Sequence, residues 1–453
     1  MKKIFTIIFI LLLFSIALIS CDDCKHNKEI IPGKEATCTE DGLTDGEKCT
    51  KCGKVFKEQE IIPCGHKPVV VEGKKATMES TGLTDGEKCS VCDKIFKHQE
   101  IIPSGTVIDG LEYRLNPDYS YTVVSLGEIK DSKIVIPSTF CNLPVTEIAD
   151  YAFRDCTDIT EVVCPESLKY IGREAFMGCA NLESVNIPNG VTYIGRSAFE
   201  NCVSLEEIRI PDSVTEIGIA LFMNCSELKT VQLSKNITAI GNYTFSGCTS
   251  LAHVEIPEGV TSLGFSVFIK CASLESLTLP DSVTTLRGTI FNDCVSLKEI
   301  KIGAGIKSIP ENPLYNCPSL EAINVSENNE NYMSVDGVLY SKDRTTLIRY
   351  PEGKKDSSFT VPSVVKVIGD DSFYKNTYVN VVTLPDSVTS IKPFAFSDCE
   401  GLEIINIPSS VTEIGVAAFY NCSNVTVHCM TYNKPAGWSK SWDEGAKKVI
   451  WIN

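Results

Sequence analysis

The sequence predicts a solenoid: a stack of coils, each built from a short β-strand and a helical turn. Three observations predict it. From residue 153 onward cysteines recur every 23 residues, at Cys156, Cys179, Cys202, Cys225, Cys248, Cys271, Cys294 and Cys317. The spacing resumes at Cys399 and Cys422, and Asn376 holds the same column. Three residues before each stands Phe153, Phe176, Phe199, Phe222, Phe245, Phe268, Phe291, Phe373, Phe396 or Phe419, with Leu314 the one exception. Between these columns every interval carries the same apolar spacing, and repetition at a fixed period of this size marks stacked units.

The interval from Leu205 to Cys225 shows how one coil works. Leu205, Ile208 and Ile210 are the inward positions of a short strand. Pro211-Asp212 ends it, because proline donates no hydrogen bond and favours a turn. Val214 and Ile217 form a second apolar edge, Gly218 permits a bend, and residues 220–225 read as one helical turn. Each inward side chain contributes roughly 1.5–3 kcal/mol when buried. A lone coil buries none of them, whereas stacked coils bury all. A side chain inside the bend at the cysteine column must be small and should satisfy a backbone carbonyl. Cysteine does this weakly and asparagine well, so buried thiols are expected there rather than a metal or redox centre.

The elements that precede the repeats follow in chain order. Residues 1–20 read as a signal peptide: Met1-Lys2-Lys3 is basic, and the apolar run over 4–19 is broken only by Thr6 and Ser15. That run is short of the roughly 20 residues a bilayer span needs. It ends in Leu18-Ile19-Ser20-Cys21, which resembles the lipobox of bacterial lipoproteins. The resemblance implies acylation of Cys21 and stable attachment to a membrane through two or three chains. The other reading is a conventionally cleaved signal peptide beside an ordinary cysteine.

Residues 21–105 hold a unit duplicated at a period of 40. The run from Gly42 to Cys49 returns from Gly82 to Cys89, and Gln59-Glu60-Ile61-Ile62-Pro63 returns at Gln99. In register, Cys24 matches Cys64, His26 matches His66, Cys49 matches Cys89 and Cys52 matches Cys92, while Cys38 faces Met78. The result is C-x-H followed by C-x2-C, twice. Two thiolates two residues apart form a knuckle for one tetrahedral ion, and this ligand set suits zinc. So small a unit with so few apolar residues needs a staple. Structural zinc through Cys24, His26, Cys49 and Cys52, and through Cys64, His66, Cys89 and Cys92, is one reading. Disulfides are another, since an exported module sits where they form, and a redox C-x2-C is a third. The unit also resembles Cys-containing repeats of surface proteins from gut and oral bacteria, in which Ala36-Thr37-Cys38 and Gly65-His66 occupy recurrent positions. The second copy departs from that pattern at Met78 and Thr106.

Residues 106–152 are expected to cap the stack, with a first coil over 134–148 that carries extra residues around Phe140-Cys141-Asn142. The repeats run over 153–429 and are interrupted at 326–358. Val325 and Val361 are equivalent yet lie 36 apart instead of 23, an insertion of 13 residues. Asp336-Gly337 and Lys342-Asp343 predict a hairpin or two there. Residues 430–453, with Trp438, Trp442 and Trp451, are expected to close the open end. The L-x-x-I-x-I-P strand, the V-T-x-I-G edge and the A-F-x-x-C turn together resemble the BspA-type leucine-rich repeat. That resemblance implies a leucine-rich-repeat solenoid on a bacterial surface protein, several relatives of which act as adhesins.

Composition sets the function classes. The chain of 453 residues carries 42 Lys+Arg against 58 Asp+Glu, a formal charge of −16, which argues against nucleic acid as a partner. With 5 His, no nucleophile has an obvious paired base, and no enzyme is expected. The repeats instead rule a polar surface whose outward strand positions include Glu206, Glu207, Arg209, Lys229, Gln232, His253, Glu255, Lys298, Glu299 and Lys301. Such a face suits distributed contacts with extracellular or host proteins, and the resemblance makes matrix proteins such as fibronectin or fibrinogen candidates. Two further readings are a structural envelope protein with a zinc-binding or zinc-sensing module, and a glycan binder. The glycan reading is weakened because the face lacks aromatic side chains for sugar stacking.

Overall fold

The computed structural model describes residues 27–38, 40–62, 65–73, 82–83, 85–99, 101–102, 110–127, 131–310 and 314–452. Residues 1–20, expected to be a signal peptide, and Cys21, Cys24, His26, Cys64, Met78 and Thr106 lie outside the described residues. The chain divides into two compact units, Met1–Ser104 and Gly105–Asn453.

In the larger unit each coil contributes a strand to two parallel columns. The coil of Leu205 supplies Glu207–Arg209 to one and Glu216–Ile217 to the other. In the first column Glu207 pairs with Thr230, Ile208 with Val231 and Arg209 with Gln232. This register keeps Ile208 and Val231 inward and their neighbours outward, as the two-residue period of a strand requires. At the bend between the second strand and the turn, a Cβ on Gly218 would lie 2.2 Å from the backbone nitrogen of Arg196 in the preceding coil. Only glycine permits that approach.

The turn corrects one expectation. No helix forms over 220–225. The N–H groups of Ala220, Phe222 and Asn224 donate to the carbonyls of Asn242, Thr244 and Ser246 in the next coil, at 2.7–2.9 Å. The amides of Met223 and Cys225 donate back three residues, to Ala220 and Phe222. Alternate donors therefore leave the coil, which a helix cannot allow. Ala220 and Asn224 also adopt left-handed φ values of 56° and 61°, so helical dihedrals never run for more than three residues. The turn is a third inter-coil ladder.

Inside the bend, the phenylalanines stack. Ring centroids from Phe153 to Phe291 are 5.2–5.9 Å apart, with planes within 17°. The thiols beside them are buried and cross-link neighbouring coils by hydrogen bonds. Cys179 donates to the Phe153 carbonyl at 3.0 Å, Cys225 to Phe199 at 3.0 Å, and Cys422 to Phe396 at 2.7 Å. Asn376 fills the same column with more bonds. Its amide donates to Pro351, Glu352 and Lys354 carbonyls, and its oxygen accepts from the amides of Tyr378 and Val379. Burial pushes the Cys225 thiol up to about 12, so it stays protonated and inert. Cys156, at the start of the column, is only half-buried and donates to the Arg154 carbonyl at 3.8 Å.

The first coil carries its extra residues as a tight hairpin. Thr139–Phe140 pairs with Leu143–Pro144 around Cys141 and Asn142, both left-handed. The insertion is a three-stranded meander, Tyr332–Val335, Val338–Ser341 and Thr346–Arg349. Its first turn is Asp336-Gly337, both at positive φ, and its last strand joins the second column through Val367–Ile368. Alternation along Val338–Ser341 divides the hydrophobic core. Leu339 packs with the cluster that runs back to Leu111, whereas Val338 and Tyr340 pack with the cluster that runs on to Trp442. Arg349 ties the seam, donating to Asp371 and Leu314 carbonyls on either side. Where Leu314 interrupts the phenylalanines, an apolar cavity of about 20 Å³ opens among Phe291, Ile309, Ile323 and Leu339. At the far end Lys448–Trp451 adds to the first column and Gly437–Trp438 to the second. The ring of Trp442 meets Phe419 edge-on at 5.9 Å and closes the stack.

Urea unfolding and thiol labelling test this packing. Phe222→Ala removes a fully buried ring and is expected to cost about 3–5 kcal/mol in urea unfolding. Leu314→Phe fills the cavity and is expected to raise the urea midpoint; a lower midpoint would show that the seam requires the smaller side chain. Alkylation read by mass spectrometry supplies the second test. The column thiols Cys179, Cys202, Cys225, Cys248, Cys271, Cys294, Cys317, Cys399 and Cys422 should remain unlabelled at pH 8 until denaturant is added, while exposed Cys141 labels at once.

Candidate functional site

Two surfaces and one cluster of ligating side chains emerge from this architecture. The first surface is the outward side of the first strand column. Glu207, Thr230 and His253 form one row, and Arg209 and Gln232 the next. Further along, Ser276, Glu299 and Ala322 align, as do Thr278, Lys301 and Asn324. Of the outward residues singled out from sequence, all are exposed except Glu299, which is half-buried and accepts a hydrogen bond from the Asn324 amide at 2.6 Å. Neighbouring coils also exchange charge, through Glu206–Lys229 at 2.8 Å and Glu275–Lys298 at 3.0 Å. Each exposed pair is worth less than about 1 kcal/mol of stability. Their charges remain open to solvent and to a partner.

The second surface was not foreseen from sequence. In the second strand column Tyr170 pairs with Tyr193 and Tyr193 with Glu216, and the two rings stack 5.0 Å apart. Beside them the Arg173 guanidinium lies 4.8 Å over the ring of Tyr151, and Arg154 approaches the same ring at 5.6 Å. Arg154 also bonds Glu174 at 2.8 Å. Tyrosine and arginine are the residues that anchor protein interfaces. The signal was present as the variable position of the V-T-x-I-G edge, where Tyr193 stands within Val191-Thr192-Tyr193-Ile194-Gly195.

The N-terminal unit contains two copies of one small sheet. Lys28–Ile31, Gly46–Cys49 and Val55–Lys57 form the first, and Pro68–Val71, Gly86–Cys89 and Ile95–Lys97 the second. Polar side chains do much of the stapling. Gln59 donates to the Pro32 and Thr44 carbonyls, and Gln99 to that of Glu72. Asp45 and Asp85 accept from the amides of Gly33 and Gly73. Apolar side chains are left outside, with Ile30, Ile61 and Val70 all more than 60% exposed.

Each C-x2-C is a knuckle. The Cys49 amide donates to Lys54 and its carbonyl accepts from left-handed Gly53, and Cys89 repeats this with Lys94 and Asp93. Cys49 and Cys89 are buried while Cys52 and Cys92 are exposed. The second knuckle brings together His66 and Cys38, the latter outside the ligand sets expected from sequence. The Sγ atoms of Cys38 and Cys89 are 3.3 Å apart, and Cys92 Sγ lies 3.5 Å from His66 Nδ1. Hydrogen bonding to Cys92 and Cys89 pushes the Cys38 thiol up to about 12. Burial acts to raise Cys89 too, but the amides of Val91 and Cys92 and the side chains of Cys38 and His66 outweigh it and hold Cys89 down at about 5. Cys38 stands outside the ligand sets expected from sequence because its neighbours Cys89 and Cys92 belong to the other copy of the repeat.

Comparison with known proteins follows the solenoid. The family model described as the BspA type leucine rich repeat region matches in six copies, over residues 146–272, 215–335 and 352–434, more than half of the chain. Among solved structures, a leucine rich cell surface protein from Faecalibacterium prausnitzii aligns with a TM-score of 0.54 at 27% identity, covering 78% of this chain and 95% of that one. A leucine-rich repeat protein from Bacteroides ovatus aligns at 24% identity and a TM-score of 0.48, covering 77% and 100%. The leucine rich repeat protein of T. pallidum aligns at 33% identity and a TM-score of 0.40, covering 43% and 90%. No curated protein matches.

Proposed function

Because the chain belongs to the BspA-type leucine-rich repeat family, we infer that it works by binding other proteins through its solenoid, at the cell surface and in adhesion. The observation that carries this reading is the register of the first strand column, which aligns outward, mostly polar side chains of successive coils in rows up to three coils long. A rigid, ruled face of this kind presents many weak contacts at fixed spacing and pays little ordering entropy on binding. The Tyr170–Tyr193 stack with Arg173 supplies the anchors that the first face lacks. Kinship with a protein described as a cell surface protein supports the location. Among the described residues no helix is long and apolar enough to cross a membrane. Attachment is assigned to acylated Cys21, and the partners to extracellular or host proteins, with fibronectin and fibrinogen as first candidates.

Binding of the purified chain to immobilised fibronectin, fibrinogen and whole neighbouring bacteria tests the reading. Saturable binding that weakens as salt rises is expected, because exposed charges are screened within about 10 Å at 0.1 M. Affinity for polysaccharide that survives high salt points to a glycan ligand instead, and absence of binding to every surface sinks the adhesive reading. Glu207→Ala and Tyr193→Ala tell the two faces apart, the tyrosine variant being expected to lose more affinity, by roughly 2 kcal/mol if it is a hot spot. Attachment is tested separately by metabolic labelling with radioactive palmitate in a bacterial host. Label should enter the parent and be lost in Cys21→Ala; label retained by the variant rules out that anchor.

A further inference from the structure

The N-terminal unit carries chemistry that the binding role of the solenoid does not use. One ligand atom from each of Cys38, His66, Cys89 and Cys92 lies within 4.8 Å of all the others. Tetrahedral zinc, with sulfur at about 2.3 Å and imidazole nitrogen at 2.0–2.1 Å, sets two sulfurs roughly 3.8 Å apart and a sulfur and a nitrogen roughly 3.6 Å apart. The 3.3 Å between Cys38 and Cys89 and the 3.5 Å between Cys92 and His66 lie close to those values. The sulfur separation is well beyond the roughly 2.05 Å of a disulfide. Three sulfurs and one imidazole form a soft, closed set that suits zinc better than magnesium or calcium.

The surroundings fit a structural ion as well. The Val91 amide points at Cys89 Sγ from 3.4 Å, the kind of N–H donor that steadies a metal-bound thiolate. The edge of Phe96 packs on the His66 ring, centroids 5.3 Å apart at 69°, and fixes its orientation. With Val70, Val91 and Ile95 all at least half exposed, the sheet has little apolar core to hold its knuckle closed.

We propose that Cys38, His66, Cys89 and Cys92 bind one zinc ion that clamps the first repeat to the second. Cys38 belongs to the first copy and the other three to the second, so the ion is a link between copies and not a private staple of one. The sequence expectation placed Cys64 in this set; Cys64 lies outside the described residues, and Cys38 supplies the fourth donor among those described. The cross-copy arrangement also accounts for Met78. A cysteine in that column serves the knuckle of the following copy, and no third C-x2-C stands 40 residues beyond Cys89 and Cys92 for residue 78 to serve.

The test uses the full chain, purified under reducing conditions and loaded with zinc or cobalt, with Cys38→Ser and Cys64→Ser alongside. Zinc per chain, retention against a chromophoric chelator and the visible spectrum of the cobalt form are measured. Cys38→Ser should weaken retention at one site at least as much as the 10–100-fold that losing an outer-shell partner costs. It should also dim the sulfur-to-cobalt charge-transfer band, while Cys64→Ser matches the parent. Should Cys38→Ser fail to fold, Cys38→His keeps a donor at the position and should keep the ion with a weakened thiolate band. A parent that retains no zinc, a Cys38→Ser variant with the parent's retention and spectrum, or loss confined to Cys64→Ser overturns the proposal. So does a peptide map of the zinc-loaded chain in which Cys38 is found in a disulfide.

Discussion

No coil of the solenoid satisfies its own backbone or buries its own apolar side chains, and everything else in the larger unit follows from that. Donors at Ala220, Phe222 and Asn224 find carbonyls only in the next coil, and the thiol of Cys225 finds one only in the previous coil. The same neighbours press Phe222 between Phe199 and Phe245. Since an unpaired buried donor costs about 1–3 kcal/mol, hydrogen bonding and burial demand the same stacking. That shared demand favours a constant period, and extra residues are carried outside the ladders, as in the hairpin at Thr139–Phe140 and Leu143–Pro144 and the meander over Tyr332–Arg349. It also explains the ends. The aromatic cluster of Tyr113, Tyr121 and Phe140 covers the first coil, and Trp438 and Trp442 are buried over the last.

Most of this architecture was legible in the sequence because periodicity reports stacking directly. Columns of phenylalanine and cysteine at a constant interval need only be counted, and Asn376 among the cysteines already told which atom the column must supply. The turn was misread for a physical reason. Residues 220–225 have the composition of a helical turn, but local preference ranks alternatives only when the backbone is free to choose. Here the facing carbonyls of the next coil decide, and they lie 22 residues away in sequence. The insertion was legible as hairpins through Asp336-Gly337. That one of its strands would part the core in two follows from alternation at Val338, Leu339 and Tyr340, visible once the strand's two flanks are known.

The ligating cluster was only half legible. C-x2-C and the matching histidines announce a knuckle whatever the fold, since the spacing itself makes the geometry. The cysteine that completes the set lies 51 residues before Cys89, in another copy of the repeat. No spacing rule reaches that far, and the contact depends on how the strands of one copy present their ends to the next. The surface rows of Glu207, Arg209 and Lys301 were readable from the two-residue strand period. The tyrosine stack beside Arg173 was not, because alternating positions of the short second strands were read only for the apolar half.

The division of the core by Val338, Leu339 and Tyr340 has a consequence for inheritance. On either side of that partition, one coil resembles the next closely enough that an unequal exchange between gene copies, adding or removing the coding length of a single coil, leaves every surviving contact of the same kind. The partition and the two ends cannot be duplicated so freely, since each is built once. A coil more or fewer on either side would therefore change the reach of the ruled faces and the order of their charges in whole steps, without disturbing the seam at Arg349.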